Sequence, residues 1–247
     1  MLTIGRYRAR SAETAADLHA AQSLRALAFL QRDDPPDADA FDPFCTHILV
    51  DDLFTGQLVC CFRLLQLPNG ADLPRAYSAQ FYDLSALSDF AAPVAEVGRF
   101  CIHPDARDPD ILRVAWGGLA RFVDKNGIRL LVGCSSFKGV DAQRYLDSFA
   151  LLNARYLAPT HWRPEVKSPF IVRFDDMQRP NRIDRRAGLR AMPPLLRSYL
   201  SMGGWVSDHA VVDHQMNTLH VFTGLEIDAV PPARKRVLRR VAAHSAA

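Results

Sequence analysis

No apolar run in this 247-residue chain approaches the roughly 20 residues needed to cross a bilayer. The opening residues, MLTIGRYRARSAET, lack the apolar core of a secretory signal, so the expectation is a cytoplasmic chain. Cysteine is sparse: Cys45, Cys60, Cys61, Cys101 and Cys134 are odd in number and irregular in spacing. That pattern argues against a disulfide framework. Four of the five stand in or beside apolar strand-like runs, as buried thiols in a reducing compartment do. The chain has no internal repeat and no low-complexity linker. Its basic stretches carry no interleaved aromatics and no recognised nucleic-acid motif, so no nucleic-acid partner is expected. The repeated Cys-x-His spacing (Cys45/His47, Cys101/His103) lacks a Cys-x-x-Cys knuckle, and no metal site is expected.

What is present is an ordinary globular composition, 49% hydrophobic and 23% charged, with length enough for a sizeable core. The net charge of +3 hides an asymmetry: residues 1–110 carry −7 and residues 111–247 carry +10. The basic excess gathers at Arg179, Arg182, Arg185, Arg186 and Arg190, and again at Arg234-Lys235-Arg236 and Arg239-Arg240. Such patches suit an acidic protein or an anionic membrane surface; the plainer reading is a solvated basic face.

Ser11 to Leu30 reads as a helix, with Ser11 where a cap belongs and Thr14 in the first turn. Residues 31–44, with five aspartates and three prolines, read as a loop. Two strands, Cys45–Asp51 and Gln57–Leu65, form a hairpin through Phe54-Thr55-Gly56. A short helix near Ser78–Leu84 precedes the strand holding Glu96. Asp110–Asn126 is an amphipathic helix ended by Gly127, Arg129–Cys134 a buried strand and Val140–Leu152 a further helix. The fold class is α+β, a mixed, mostly antiparallel sheet with helices on its faces. The expected organisation is a core over 1–178 and a C-terminal extension over 179–247, docked on that core and ending in a basic tail.

The segment Glu96-Val97-Gly98-Arg99-Phe100-Cys101-Ile102-His103 places a carboxylate and a guanidinium on an otherwise apolar strand. Burying such charges costs several kcal/mol unless a partner or ligand compensates them. An ideal strand sends i and i+3 to opposite faces, so a bulge is needed to aim both into one cleft. Four further features stand with it: Arg25 and Phe29 on one helix face, Asp37, Asp39 and Asp42 in the following loop, Arg63 near a strand end, and Gly133-Cys134-Ser135-Ser136-Phe137. Taken singly each has a plain explanation: a solvated loop, a surface arginine, or, for Glu96 and Arg99, a structural ion pair. Neither Cys134 nor Ser135 has a histidine in an obvious activating position. Phe100, Phe122, Leu131, Phe137 and Tyr145 are candidate walls of an apolar cleft or simply core.

In this order and spacing the features resemble the autoinducer-synthase branch of the Gcn5-related N-acyltransferase superfamily. Its pattern is an Arg-x-x-x-Phe helix, an Asp/Glu-x-Asp-x-x-Asp loop, a strand-borne Arg and Glu-x-x-Arg-Phe; all four are here. The chain is more similar still to the L-ornithine N-α-acyltransferases of ornithine-lipid synthesis. That likeness rests on Tyr77–Asp83, Glu96–Asp105, Gly133–Gly139, Gly203–His209 and Asn217–Phe222, and it spans about residues 5–235. Coenzyme A-dependent relatives follow the central strand with a Gly-rich turn that cradles pyrophosphate. Here Pro104-Asp105-Ala106-Arg107-Asp108-Pro109-Asp110 has no glycine, two prolines and three carboxylates.

The resemblance implies transfer of a (3-hydroxy)fatty acyl group from acyl carrier protein to the α-amine of L-ornithine, with no bound cofactor and an acyl-phosphopantetheine donor. It implies Glu96 as the proton acceptor, Arg99 as the residue that orients it or meets developing charge, and Arg107 as a phosphopantetheine contact. Arg25, Phe29, Asp37, Asp39, Asp42, Arg63, Phe100 and Ser135 are the implied substrate-binding set. Peripheral attachment to the inner membrane fits a lipophilic product. Two alternatives stay open: acylation of a different amino acid or autoinducer-type amine, and a non-catalytic module that binds acyl carrier protein or a membrane surface.

Overall fold

The computed structural model describes residues 1–32, 34–177 and 183–243. In chain order its regular elements are β1 (Leu2–Ile4), β2 (Tyr7–Ser11), α1 (Ala15–Arg25), β3 (Thr46–Asp52), β4 (Leu58–Leu67), β5 (Tyr82–Asp83), β6 (Val94–Ile102), α2 (Pro109–Asn126) and β7 (Leu130–Lys138). There follow α3 (Leu146–Arg155), β8 (Glu165–Val166), β9 (Ile171–Arg173), α4 (Arg185–Ala191), α5 (Pro194–Ser201), β10 (Trp205–Val206), β11 (His209–Asp213), β12 (Thr218–Glu226) and α6 (Pro232–Ala243).

Local chemistry sets the boundaries, and two of them correct the sequence reading. Ser11 does not cap a helix; it ends β2, paired with Ile48 of β3. Thr14 is the N-cap, because Asp17 stands three residues on and closes a capping box with it. Past Arg25 the helix widens into a π-turn over Ala26–Leu30. The expected helix near Ser78–Leu84 is a 3-10 turn, Tyr77–Gln80, followed by β5. At the end of α2, Gly127 takes the left-handed conformation that glycine tolerates best, with φ +61°.

The chain groups into two units: Met1–Gln66, Val97–Ile128 and Pro231–Ala247 in the first, Leu67–Glu96 and Arg129–Val230 in the second. In the first, β1, β2, β3 and β4 pair antiparallel in order, and β6 lies beside β4. Helix α1 buries Ala21 and Leu24 against Leu49, Cys61 and Cys101. Helix α2 lies on the opposite face, where Gly118 meets Ala9 and Ile48. A Cβ at Gly117 would come within 2.4 Å of Leu2 and 2.7 Å of Val241, so its absence lets β1 and α6 close on α2.

In the second unit the start of β6 runs parallel to β7, from Val94↔Leu130 to Glu96↔Val132. β7 pairs antiparallel with β12 over nine rungs, and β11 and β9 continue outward. One face carries a core of Phe137, Phe149, Leu152, Leu196, Val206, Leu219 and Val221 beneath α3 and α5. Tyr145 and Phe137, expected as possible cleft walls, belong to this core. The expected boundary at 178/179, with Arg179 and Arg182, lies outside the described residues. Beyond it, β12 is an inner strand of the second unit, hydrogen-bonded on both sides.

Candidate active site

Glu96 is 5% exposed, and both its oxygens are held by backbone donors. The Tyr77 N–H donates to Oε2 at 2.7 Å and the Ser78 N–H to Oε1 at 2.8 Å. Two N–H donors supply the compensation that a buried carboxylate requires.

Within the first unit, three arginines and three aspartates close a ring of alternating charge. Arg25 bridges Asp37 (2.9 Å) and Asp42 (2.8 Å). Arg63 bridges Asp42 and Asp39, each at 2.5 Å, and Arg99 bridges Asp39 (3.2 Å) and Asp37 (2.9 Å). Three guanidiniums thus balance three carboxylates, which is how so many charges survive inside an apolar sheet. Gln22 Nε2 adds a hydrogen bond to Asp42 at 2.9 Å, and the Arg63 guanidinium lies 5.6 Å from the Phe41 ring centroid. The ring is deepest at Arg25, Asp42 and Arg63, whose side chains are 1–3% exposed. It is shallowest at Asp39, 21% exposed.

Electrostatics follow from this geometry. Burial pushes the Asp42 carboxyl up, but the hydrogen bonds and charge of Arg25, with Gln22 and Arg63, outweigh it and hold it well below the usual carboxylate range. Asp39 is lowered in the same way: burial opposes, while Arg63 first and then the Phe41 N–H and Arg99 prevail. For Arg63 burial acts downward, yet Asp39 and Asp42 raise it above an ordinary arginine. Burial also lowers His47, whose Nε2 lies 3.0 Å from the Asp42 carbonyl.

Arg99 joins the ring at a local break in the alternation of β6. It has φ +52°, a left-handed residue inside a strand. Gly98 beside it leaves room: a Cβ there would sit 3.4 Å from Arg63 Nε.

Other expected site residues fall elsewhere. Phe29 packs against the Leu24, Leu49, Cys61 and Cys101 cluster, and Phe100 stacks on Phe62 with centroids 5.1 Å apart. Paired strand residues share a face and alternate along each strand. The registers therefore place Glu96, Cys134, Ser136, His220 and Phe222 on one face of the second unit, and Ser135, Val221 and Thr223 on the other. Ser135 accordingly points away from the face of Glu96 and accepts the Thr223 hydroxyl at 2.9 Å. Arg107 is exposed before α2, where Asp108 caps the helix by accepting the Asp110 N–H. A carboxylate thus occupies the place where a helix terminus would bind phosphate. The two Cys-x-His spacings diverge: Cys101 Sγ lies 3.5 Å from Cys61 Sγ, whereas His103 meets Gln57.

Sequence reasoning missed the Tyr77 and Ser78 donors, because a backbone N–H leaves no mark in the residue pattern. Gln22, one turn before Arg25, could have been found from i, i+3 spacing.

The chain is an acyltransferase of the Gcn5-related fold: residues 21–117 match the acetyltransferase (GNAT) domain family. FeeM, an N-acyl amino acid synthase from uncultured soil microbes, shares the fold with a TM-score of 0.51 at 11% identity, over 90% of this chain and 92% of its own. Apo TofI does so with a TM-score of 0.50 at 14% identity, over 94% and 97%. The sequence is 30% identical to the L-ornithine N(alpha)-acyltransferase of Rhodobacter capsulatus, across 95% of both chains. It is 29% identical to the protein of the same name from Agrobacterium fabrum, across 92% of this chain and 83% of that one. The chain belongs to the L-ornithine N(alpha)-acyltransferase family.

Proposed function

We propose that the protein transfers a fatty acyl group, 3-hydroxylated or plain, from the phosphopantetheine thioester of acyl carrier protein to the α-amine of L-ornithine. The observation that carries this reading is Glu96, a buried carboxylate fixed by two backbone donors, in a chain of this family. The α-ammonium gives its proton to Glu96, directly or through one water, and the free amine attacks the thioester carbonyl. The C–N bond forms, the C–S bond breaks, and the nitrogen's second surplus proton passes to the departing carrier thiolate, leaving a neutral amide and a free thiol. Arg99, Asp37 and Asp39, at the shallow side of the ring, are the groups proposed to meet the charged acceptor. Arg25, Asp42 and Arg63 are nearly inaccessible and act by holding those three in place.

The donor assignment rests on the segment before α2. Its aspartates and prolines suit a pyrophosphate poorly, and Arg107, exposed just before α2, is the proposed contact for a single phosphodiester. The charge of α6 (Arg234, Lys235, Arg236, Arg239 and Arg240, with no acidic residue) complements an acidic carrier. Among the described residues no helix is long and apolar enough to cross a membrane.

The test is incubation of purified protein with 3-hydroxyacyl carrier protein and a panel of amines, read by product mass. Nα-acylornithine is expected, with Glu96→Ala lowering its rate by about two orders of magnitude or more. Acylation of other amines but not ornithine overturns the acceptor. Equal use of acyl-coenzyme A overturns the donor.

A further inference from the structure

Tyr77–Gln80 is one 3-10 turn with no side-chain cap at its start, yet its first two N–H groups must meet both Glu96 oxygens. Something outside the turn holds it. Downstream, Tyr82 and Asp83 pair with Val166 and Glu165, Ser168 N–H donates to the Phe81 carbonyl, and Lys167 Nζ donates to the Ala79 carbonyl at 2.6 Å. These contacts fix the end of the segment laterally.

Beneath it lies His220, 2% exposed, from β12 on the same sheet face as Glu96. The Phe81 ring meets the imidazole edge-on with centroids 4.9 Å apart. Tyr82 packs against it at 5.6 Å, and its hydroxyl donates to the His220 carbonyl at 2.7 Å and lies 3.2 Å from Nδ1. Nε2 is buried without a hydrogen-bond partner among the described residues. A proton carrier would face water or substrate at that atom; this one faces the interior. Two segments of the sequence, Tyr77–Asp83 and Asn217–Phe222, therefore meet at a single imidazole.

We propose that His220 is a positioning residue: its ring, wedged against Phe81 and Tyr82, sets the height at which the Tyr77 and Ser78 N–H groups grip Glu96. Burial keeps the imidazole neutral at working pH by pushing its pKa down to about 4, so the wedge acts by shape. The inference rests on the acyltransferase reading only where turnover is the readout; amide exchange tests it independently.

Three variants decide it. His220→Ala removes the wedge, His220→Phe keeps an aromatic ring there, and Tyr82→Phe removes one hydroxyl. In His220→Ala, kcat is expected to fall about tenfold or more with the KM for acyl carrier within about twofold, since small misplacements of reacting groups cost this much. Its Tyr77 and Ser78 amides exchange with solvent at least about tenfold faster, as local opening predicts. His220→Phe brings both readouts back toward wild type, and Tyr82→Phe moves both part of the way. Should His220→Phe be as impaired as His220→Ala, the imidazole does chemistry and the proposal fails. It also fails if exchange at Tyr77 and Ser78 is unchanged in His220→Ala or, where that variant does not fold, in Tyr82→Phe. A wild type inactive with every amine overturns the acyltransfer reading while leaving the exchange test valid.

Discussion

At the scale of the residue, the ring converts individually unfavourable burials into one neutral assembly. Arg25 at 1% exposure would be a severe liability alone; between Asp37 and Asp42 it is compensated. Asp42→Asn takes one charge from both Arg25 and Arg63 and is expected to destabilise by about 3 kcal/mol, read as a lower urea midpoint at unchanged slope. Glu96→Gln keeps shape and acceptance at one oxygen but cannot take a proton. Its kcat is expected to fall about a hundredfold or more, and because its NH2 leaves one buried backbone N–H without an acceptor, stability is expected to drop by about 1–3 kcal/mol. The residue types and their spacing were legible in the sequence. Which arginine meets which aspartate was not, because i, i+2 and i, i+5 spacings in an irregular loop specify no geometry.

At the scale of the element, short-range chemistry was readable wherever caps and turns dictate it. The β3–β4 hairpin, the body of β6 and α2 with its Gly127 stop lie within a few residues of expectation. The N-terminal hairpin escaped notice: β1 and β2 are three and five residues long and are held mainly by pairing with β3. The first helix is shorter than its apolar spacing predicts, because that spacing continues into the π-turn at one end and the Thr14-x-x-Asp17 capping box fixes its start at the other. Thr14→Ala is expected to cost about 1 kcal/mol, measured by thermal unfolding. β7 runs four residues past its expected end at Cys134 because β12 supplies a partner along its full length. That pairing also decides which face Ser135 takes; an unpartnered strand has alternation but no assigned inside.

At the scale of the whole molecule, pH and salt are the levers. Asp39 and Asp42 lose their protons in the folded chain below the usual value of about 3.9. Between those levels the unfolded chain binds more protons, so their stabilisation is complete above about pH 4 and is lost as pH falls further. His220 works in the same sense at higher pH, since its folded pKa of about 4 lies below an unfolded value of about 6.5. Asp213 raises it and His209 lowers it, but burial dominates. Stability is therefore expected to fall by up to about 3 kcal/mol between pH 6.5 and 4 through this residue, and His220→Phe should flatten that limb of the urea midpoint against pH. If α6 receives an acidic carrier, added salt raises the KM for acyl carrier with little change in kcat. Arg236→Glu with Arg240→Glu should raise it further at low salt.

The amino-acid order by itself determined the fold class, the run of strands around Glu96 and α2, and the group of charged residues proposed to carry the chemistry. These follow from local propensity and from a charge pattern too costly to bury without purpose. Only the tertiary structure decided that three arginines and three aspartates close into a ring, that Glu96 is gripped by the Tyr77 and Ser78 backbone, and that Ser135 faces the other way. Each of those depends on contacts between segments far apart in the chain, where pairing register and packing, rather than sequence spacing, set which atoms meet.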